Sequence, residues 1–267
     1  MIFEPSIPEI QKHIDHYWII NDFAVLTKAS PFMYAYPGIT PDMIIVLEGH
    51  YKMTYMGQTY QSNRSMLFSF IHEHVYLDLS QLKRCIIIKF KSRGLSSLQP
   101  FVKANAERIM KDSVAFVNDV FDIEISHFLT SLNGLSSEQI AASLDEWFLS
   151  LYNKEDEGFI VEMAQEVSDT FDIKTIMNAT GYSYSTIERY FKRDTGLTPK
   201  RFQSLKRYKL AIRELYVTRN SDWQHYVAKY GYYDQSHFIK EIKRYTNHTP
   251  ARLLNTPAFI EVRPLYL

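Results

Sequence analysis

Two periods of hydrophobicity divide this chain. Up to about residue 93 the apolar positions fall in short runs rich in β-branched and aromatic residues, at 17–20, 43–47, 51–55, 65–70 and 85–90. Breakers separate them: Pro31, Pro37-Gly38, Pro41, Glu48-Gly49-His50, Met56-Gly57-Gln58 and Ser62-Asn63-Arg64. Such spacing predicts strands, with hairpin turns at 48–50 and 56–58. Several short strands at regular intervals suggest a small sandwich or barrel. After Gly94 the period becomes helical. Val114, Val117, Phe121, Ile125, Phe128 and Leu132 share one helix face, and Asn133-Gly134 stops it. Ser136-x-x-Gln139 has the form of a capping box. It opens a second helix with Ile140, Leu144, Trp147 and Leu151 inward. The two helices predict an antiparallel pair that closes the barrel or forms a dimer seam. Residues 153–158 are polar and charged, a natural linker.

Beyond the linker the helical pattern comes in short pieces, and it comes twice. Lys192-Arg193-Asp194-Thr195-Gly196-Leu197-Thr198-Pro199 and Lys243-Arg244-Tyr245-Thr246-Asn247-His248-Thr249-Pro250 are near copies. Each follows a helical stretch, a turn glycine (Gly181, Gly231) and a second helical stretch. In the first copy Ser183 is placed to cap a helix with Ile187, Tyr190 and Phe191 inward. Ser185, Thr186, Glu188, Arg189 and Lys192 are left outward. In the second, Trp223, Tyr226 and Val227 face inward, Asp234 caps, and Phe238 and Ile242 anchor. Gln235, Ser236, His237, Lys240 and Lys243 remain outward. Gly196 and Asn247 suit the left-handed conformation that ends a helix. Thr198-Pro199 and Thr249-Pro250 restart one. Residues 198–217 read as a single helix, about 30 Å long at 1.5 Å per residue. One turn of DNA is roughly 34 Å. Two helix–turn–helix units on such a spacer would meet successive major grooves of double-stranded DNA.

Charge supports that partner. The formal net charge is zero. Yet residues 1–157 carry 13 Lys+Arg against 19 Asp+Glu, and residues 173–253 carry 16 against 6. A neutral whole hides a basic C-terminal part, the electrostatic footprint of a phosphate-backbone ligand.

These strings resemble the AraC/XylS family of bacterial transcription regulators. Gly231-Tyr232-Tyr233-Asp234-Gln235-Ser236-His237-Phe238, then Lys243-Arg244 and Thr249-Pro250, match the family's most specific pattern. The first copy matches through Gly181, Tyr182, Ser183, Ile187, Arg189, Phe191, Gly196, Thr198 and Pro199. The resemblance covers about 159–254. It departs at Met177 and Val227, where the family usually has Ala, at Trp223 and Tyr226, and at Ser185, where many members have Arg. The N-terminal half is similar to the cupin-like β-barrel that many members use to sense a ligand or dimerise. The His13-x-x-His16-Tyr17-Trp18 string and Ile88-Lys89-Phe90 carry that likeness.

The implied fold class is α+β in two domains. Residues 1–153 would form a cupin-like small β-barrel with a helix pair, 154–158 a linker, and 159–254 an all-α domain of two helix–turn–helix units joined by a long helix. A tail, 255–267, would dock elsewhere. The implied function is sequence-specific DNA binding in transcription regulation, modulated through the N-terminal domain. RNA polymerase, a small-molecule effector and a second copy of the chain are further partners that such a regulator would meet. Trp18, Tyr34, Tyr36 and Tyr55 are the candidate effector-pocket residues, unless they are simply core.

The rival reading is a metal-dependent enzyme. His72-Glu73-His74 has the spacing that puts two imidazoles on one side of a strand, but Tyr76, Leu77 and Asp78 follow where a third ligand belongs. His13 and His16 would complete a site only if their strand paired suitably. No Gly-rich phosphate loop, G-x-S-x-G or Cys/His nucleophile pattern is present. No catalytic residue, metal or cofactor is therefore expected. A third reading, a helical module that binds only protein, leaves the basic surplus without a purpose. Cys85 lies in an apolar run and excludes an internal disulfide. No apolar run reaches the roughly 18 residues of a membrane span, and no basic stretch leads into an apolar one at the N-terminus. The chain is expected to be soluble and cytoplasmic, with no membrane partner.

Overall fold

The computed structural model describes residues 1–23, 31–69, 74–91, 94–95, 114–121, 125–152 and 173–255. The expected linker at 154–158, the tail beyond Asn255, and His72 and Glu73 lie outside the described residues. The chain folds into an N-terminal sheet domain and a C-terminal helical domain.

Two sheets make up the first part. Strands β1 (Ile2–Phe3), β2 (Ile14–Ile20), β4 (Asp42–Gly49), β7 (Met66–Phe68), β9 (Leu82–Phe90) and β10 (Val114–Phe116) form one, in the order β1-β2-β9-β4-β7-β10. Strands β3 (Phe32–Ala35), β5 (Tyr51–Tyr55), β6 (Gln58–Ser62) and β8 (Val75–Asp78) form the other, in the order β3-β8-β5-β6. Apolar runs rather than alternation mark β2, β4 and β9 because both faces of the larger sheet are covered. Trp18, Ile20, Ile44, Val46, Cys85 and Ile87 pack toward Tyr51, Met53, Val75 and Leu77 of the smaller sheet. Their neighbours Tyr17, Ile19, Met43, Ile45, Ile86 and Ile88 pack toward helices. Burial pushes the Cys85 thiol up to about 12, as suits a packing residue.

The helices of that second layer are α1 (Pro8–Gln11), α2 (Val117–Val120), α3 (Ile125–Ser131) and α4 (Ser137–Leu151). The capping box forms as expected: Ser136 Oγ accepts from the Gln139 N–H, and Gln139 Oε1 accepts from the Ser136 N–H. Ile140, Leu144, Phe148 and Leu151 of α4 are buried in the same cluster as the sheet. Phe128 of α3 stacks on Trp147 at 4.4 Å. Asp145 on the buried side of α4 is fully engaged. It accepts from Tyr17 Oη at 2.8 Å and from Ser6 N and Oγ at 2.7 Å each.

Three sequence expectations are corrected. The strands do not close into a barrel. Among the described residues no strand belongs to both sheets, and β1, β10, β3 and β6 are left as edges, whereas closure needs two neighbours for every strand. Glu48-Gly49-His50 is not a hairpin, because β4 pairs with β7 and β9 while β5 pairs with β6 and β8. There the chain crosses between sheets, and Gly49 has φ +96 with Gln81 O only 2.3 Å from where a Cβ would lie. Met56-Gly57 does make a tight hairpin, with both residues at positive φ. Finally, the single helix expected from Val114 to Leu132 is not continuous: Val114–Phe116 is strand β10, paired with β7, and α2 stops before Phe121, whose backbone is extended.

The helical domain follows its sequence signals closely. Its elements are α5 (Ile173–Thr180), α6 (Tyr184–Thr195), α7 (Pro199–Thr218), α8 (Trp223–Tyr230), α9 (Gln235–Thr246) and α10 (Pro250–Leu254). Ser183, Thr198, Asp234 and Thr249 cap α6, α7, α9 and α10 through their side chains. Gly196, Gly231 and Asn247 end helices in the left-handed region, at φ 70, 68 and 59. Ile187, Phe191, Phe202, Leu205, Tyr208, Tyr226, Phe238 and Ile242 are wholly buried in one core. That core also takes in Tyr36 of the sheet domain, with Tyr34 and Ile39 packed against it.

Candidate nucleic-acid interface

All ten outward residues named from the sequence lie on α6 or α9, each the second helix of a helix–turn–helix unit. Ser185, Arg189 and Lys192 on α6, and Ser236, Lys240 and Lys243 on α9, are exposed. Thr186, Glu188, Gln235 and His237 are half-buried, and several have work within the fold. The Thr186 hydroxyl lies 3.0 Å from the capping oxygen of Ser183, as does that of Ser185. His237 Nδ1 accepts from the Tyr233 N–H at 3.3 Å. Glu188 is bridged by Lys192 at 2.7 Å, and Arg189 lies beside the Tyr190 ring. The turn before α9 also presents Tyr233, 90% exposed, which stands in the Gly231–Phe238 string but not among the outward candidates.

Both units are fastened to α7. Phe191 meets Phe202 edge-on at 5.3 Å, which seats α6. On the other side Glu214 of α7 accepts from Tyr230 Oη, lies 2.7 Å from His225 Nε2 and lies 3.0 Å from Lys229 Nζ, all on α8. Partial burial alone would raise this carboxyl. The bonds from Tyr230, His225 and Lys229 outweigh it and bring the value down to about 2. Arg207 of α7 grips Glu241 of α9 through Nε at 3.1 Å and Nη2 at 2.7 Å. None of Glu214, Arg207 or Glu241 was singled out from the sequence. Their partners lie 11 to 34 residues away, so no local pattern marks them.

The model of a helix-turn-helix domain family matches residues 176–256, the span of these two units. Residues 176–256 therefore form a helix-turn-helix domain of the AraC type. A domain of this type supports DNA binding and a role in transcription regulation. Among solved structures, ToxT from Vibrio cholerae O395 overlays with a TM-score of 0.47 at 13% identity, covering 92% of this chain and 97% of that one. Wild-type ToxT from strain SCE256 with bound unsaturated fatty acid overlays at 0.45 and 11% identity, covering 89% and 93%. The AraC-like transcriptional activator CuxR overlays at 0.23 and 10% identity, covering 75% and 77%. A search of curated proteins finds no match.

The four candidate effector aromatics part company. Trp18 and Tyr55 are buried between the two sheets, and a cavity in that layer, lined by Phe23, Tyr51, Met66 and Cys85 among others, is about 30 Å³, room for little more than a water. Tyr34 and Tyr36 stack on each other at 5.9 Å and face the helical domain. Tyr34 meets His248 edge-on at 6.0 Å. Gly38 abuts the Lys209 side chain of α7. Burial, with Lys89 nearby, pushes the Lys209 ammonium down to about 8 against the pull of Asp42. Of the histidines of the metal reading, His72 lies outside the described residues and the others have separate neighbours. His13 stacks on Tyr152, His16 pairs with Asp15, and His74 lies beside Tyr34. Among the described residues no three His, Cys, Asp or Glu are placed to hold a metal ion, and no helix is long and apolar enough to cross a membrane.

Proposed function

We propose that this regulator reads two successive major grooves from a single chain, with α6 and α9 as recognition helices. The supporting observation is that both helices are capped at their N-termini and fastened to one 20-residue helix, α7. Arg189 and Lys240 are the base-reading candidates. Arg bonds a guanine edge bidentately, whereas Lys offers a point charge. Lys192 and Lys243, nearer the C-terminal ends, serve as phosphate contacts.

Regulation is proposed to run through the sheet domain, 1–153, joined by the linker 154–158 to the DNA-binding part, 159–254. Its route is the segment of Tyr34, Tyr36, Gly38 and Ile39 that rests on the helical core. A binding titration of Arg189→Ala on a selected and a random duplex tests the reading. Specific binding is expected to weaken by about 1–3 kcal/mol and preference to relax. Equal losses on both duplexes would move Arg189 to the phosphate class. No loss on either would remove α6 from the interface.

A further inference from the structure

The polar contacts between α7 and α9 form one directed chain. Arg201 Nη1 donates to Tyr245 Oη at 3.1 Å. The hydroxyls of Tyr245 and Ser204 lie 3.0 Å apart, and Ser204 Oγ donates to Glu241 Oε2 at 3.0 Å. Arg207 closes the chain on the same carboxylate with two N–H groups. Arg201, Ser204 and Arg207 recur every third residue along α7, so they line one side of it. Glu241 and Tyr245, four apart, line the facing side of α9. The Arg207 guanidinium also lies 4.5 Å over the ring of Tyr232, in the turn that precedes α9.

Apolar contacts between helices tolerate rotation, because dispersion and burial have no preferred direction. A forked guanidinium on a carboxylate does not, since both N–H groups must keep their lines. Arg207 holds α9 at its turn and at mid-length, and Tyr245 adds a point one helical turn further on. The duplication does not explain this. Where the second copy has Glu241 the first has Tyr190, and where the second has Tyr245 the first has Asp194. The carboxylate chain belongs to the second unit's own sequence.

We infer that Arg207, with Glu241, Ser204 and Tyr245, sets the angle of the second recognition helix on α7 and thereby the spacing between the two half-sites that the protein accepts. They are positioning residues, acting through α9 without touching DNA. The inference rests on the proposed reading of α6 and α9 as the two DNA-reading helices. Each base pair inserted between half-sites moves the second by about 3.4 Å and turns it by roughly 35°. A helix locked in angle cannot follow that rotation. One held only by apolar contacts follows it in part.

The test begins with a duplex selected by the full-length protein from a random-sequence pool. Derivatives then carry one base pair inserted or deleted between the two protected halves. Dissociation constants are measured for the wild type, Arg207→Lys, Glu241→Gln and Tyr245→Phe, with thermal melting alongside. Arg207→Lys keeps the charge and loses the fork; Tyr245→Phe removes one hydroxyl. The wild type is expected to discriminate sharply between spacings. The variants are expected to lose at least about threefold of that discrimination, the lower range of coupling within a hydrogen-bonded network. This loss should appear well below their melting temperatures. Spacing profiles that stay parallel to the wild type would overturn the inference while leaving DNA binding intact. A wild type indifferent to spacing would overturn it too. Should Arg207→Lys fail to fold, Tyr245→Phe decides. Failure of the wild type to select any duplex would bring down the DNA-reading assignment, and this inference with it.

Discussion

Glu214→Gln gives the sharpest test of how the second helix–turn–helix unit is held. The carboxylate sits on α7 and gathers Tyr230, His225 and Lys229 from α8, so it ties the unit's first helix to the spacer. Its side chain is only 15% exposed. Moving a carboxyl from its ordinary 4.5 to about 2 corresponds to about 3 kcal/mol in favour of the folded state. Three partners at a partly wetted edge argue for less, about 2 kcal/mol. The sign follows from proton binding. Below pH 4.5 the unfolded chain takes up a proton that the folded one refuses. The contribution is therefore complete above pH 4.5 and is lost as the pH falls toward 2. Glu214→Gln removes the charge and keeps the shape. Urea unfolding followed by circular dichroism, on both proteins at several pH values, should show the variant about 2 kcal/mol less stable at pH 7. That gap should narrow steadily below pH 4.5. A gap that stays constant down to pH 3 would refute the electrostatic account and leave only shape or hydrogen bonding as its origin.

Asp145→Ala strands the buried Tyr17 hydroxyl and the Ser6 N–H at once, so a loss of about 3–5 kcal/mol in urea unfolding is expected. Adding Tyr17→Phe to it should recover part of that loss, and no recovery would count against the hydrogen-bond explanation. Tyr36→Ala opens a hole in the helical core from the sheet-domain side, at a cost of about 3 kcal/mol or more in full-chain melting. A fragment from residue 158 onward should still show helical circular dichroism but melt below the full chain. An unchanged melting temperature would mean that Tyr36 does not stabilise the helical core.

What could be read from the sequence was what the chain decides locally. Ser136-Gln139, Ser183, Thr198-Pro199, Asp234 and Thr249-Pro250 each satisfy backbone donors within three residues, and every one appears in the structure where the pattern put it. The duplicated unit was legible for the same reason. Pairings across long separations were not. Glu48-Gly49-His50 has the composition of a hairpin, yet its two strands join different sheets because β9 offers β4 a longer partner. Asp145 looks like any polar residue on a helix until Tyr17 and Ser6 arrive from 128 and 139 residues away. Tyr34 and Tyr36 read as strand aromatics like Trp18 and Tyr55, and only the docking of the helical domain separates their fates. Arg207 and Glu241 carry no local mark at all.

The single spacer helix has a consequence for dose response. A regulator that needs two subunits to cover two grooves occupies its site in proportion to the square of its concentration while the subunits are apart. On the proposed reading, with both heads on α7, the second contact is intramolecular once the first is made, at an effective concentration that α7 fixes. Occupancy from the helical domain alone then rises with the first power of protein concentration. A promoter under such control answers gradually to the amount of regulator in the cell. Any steeper response has to be supplied by the sheet domain.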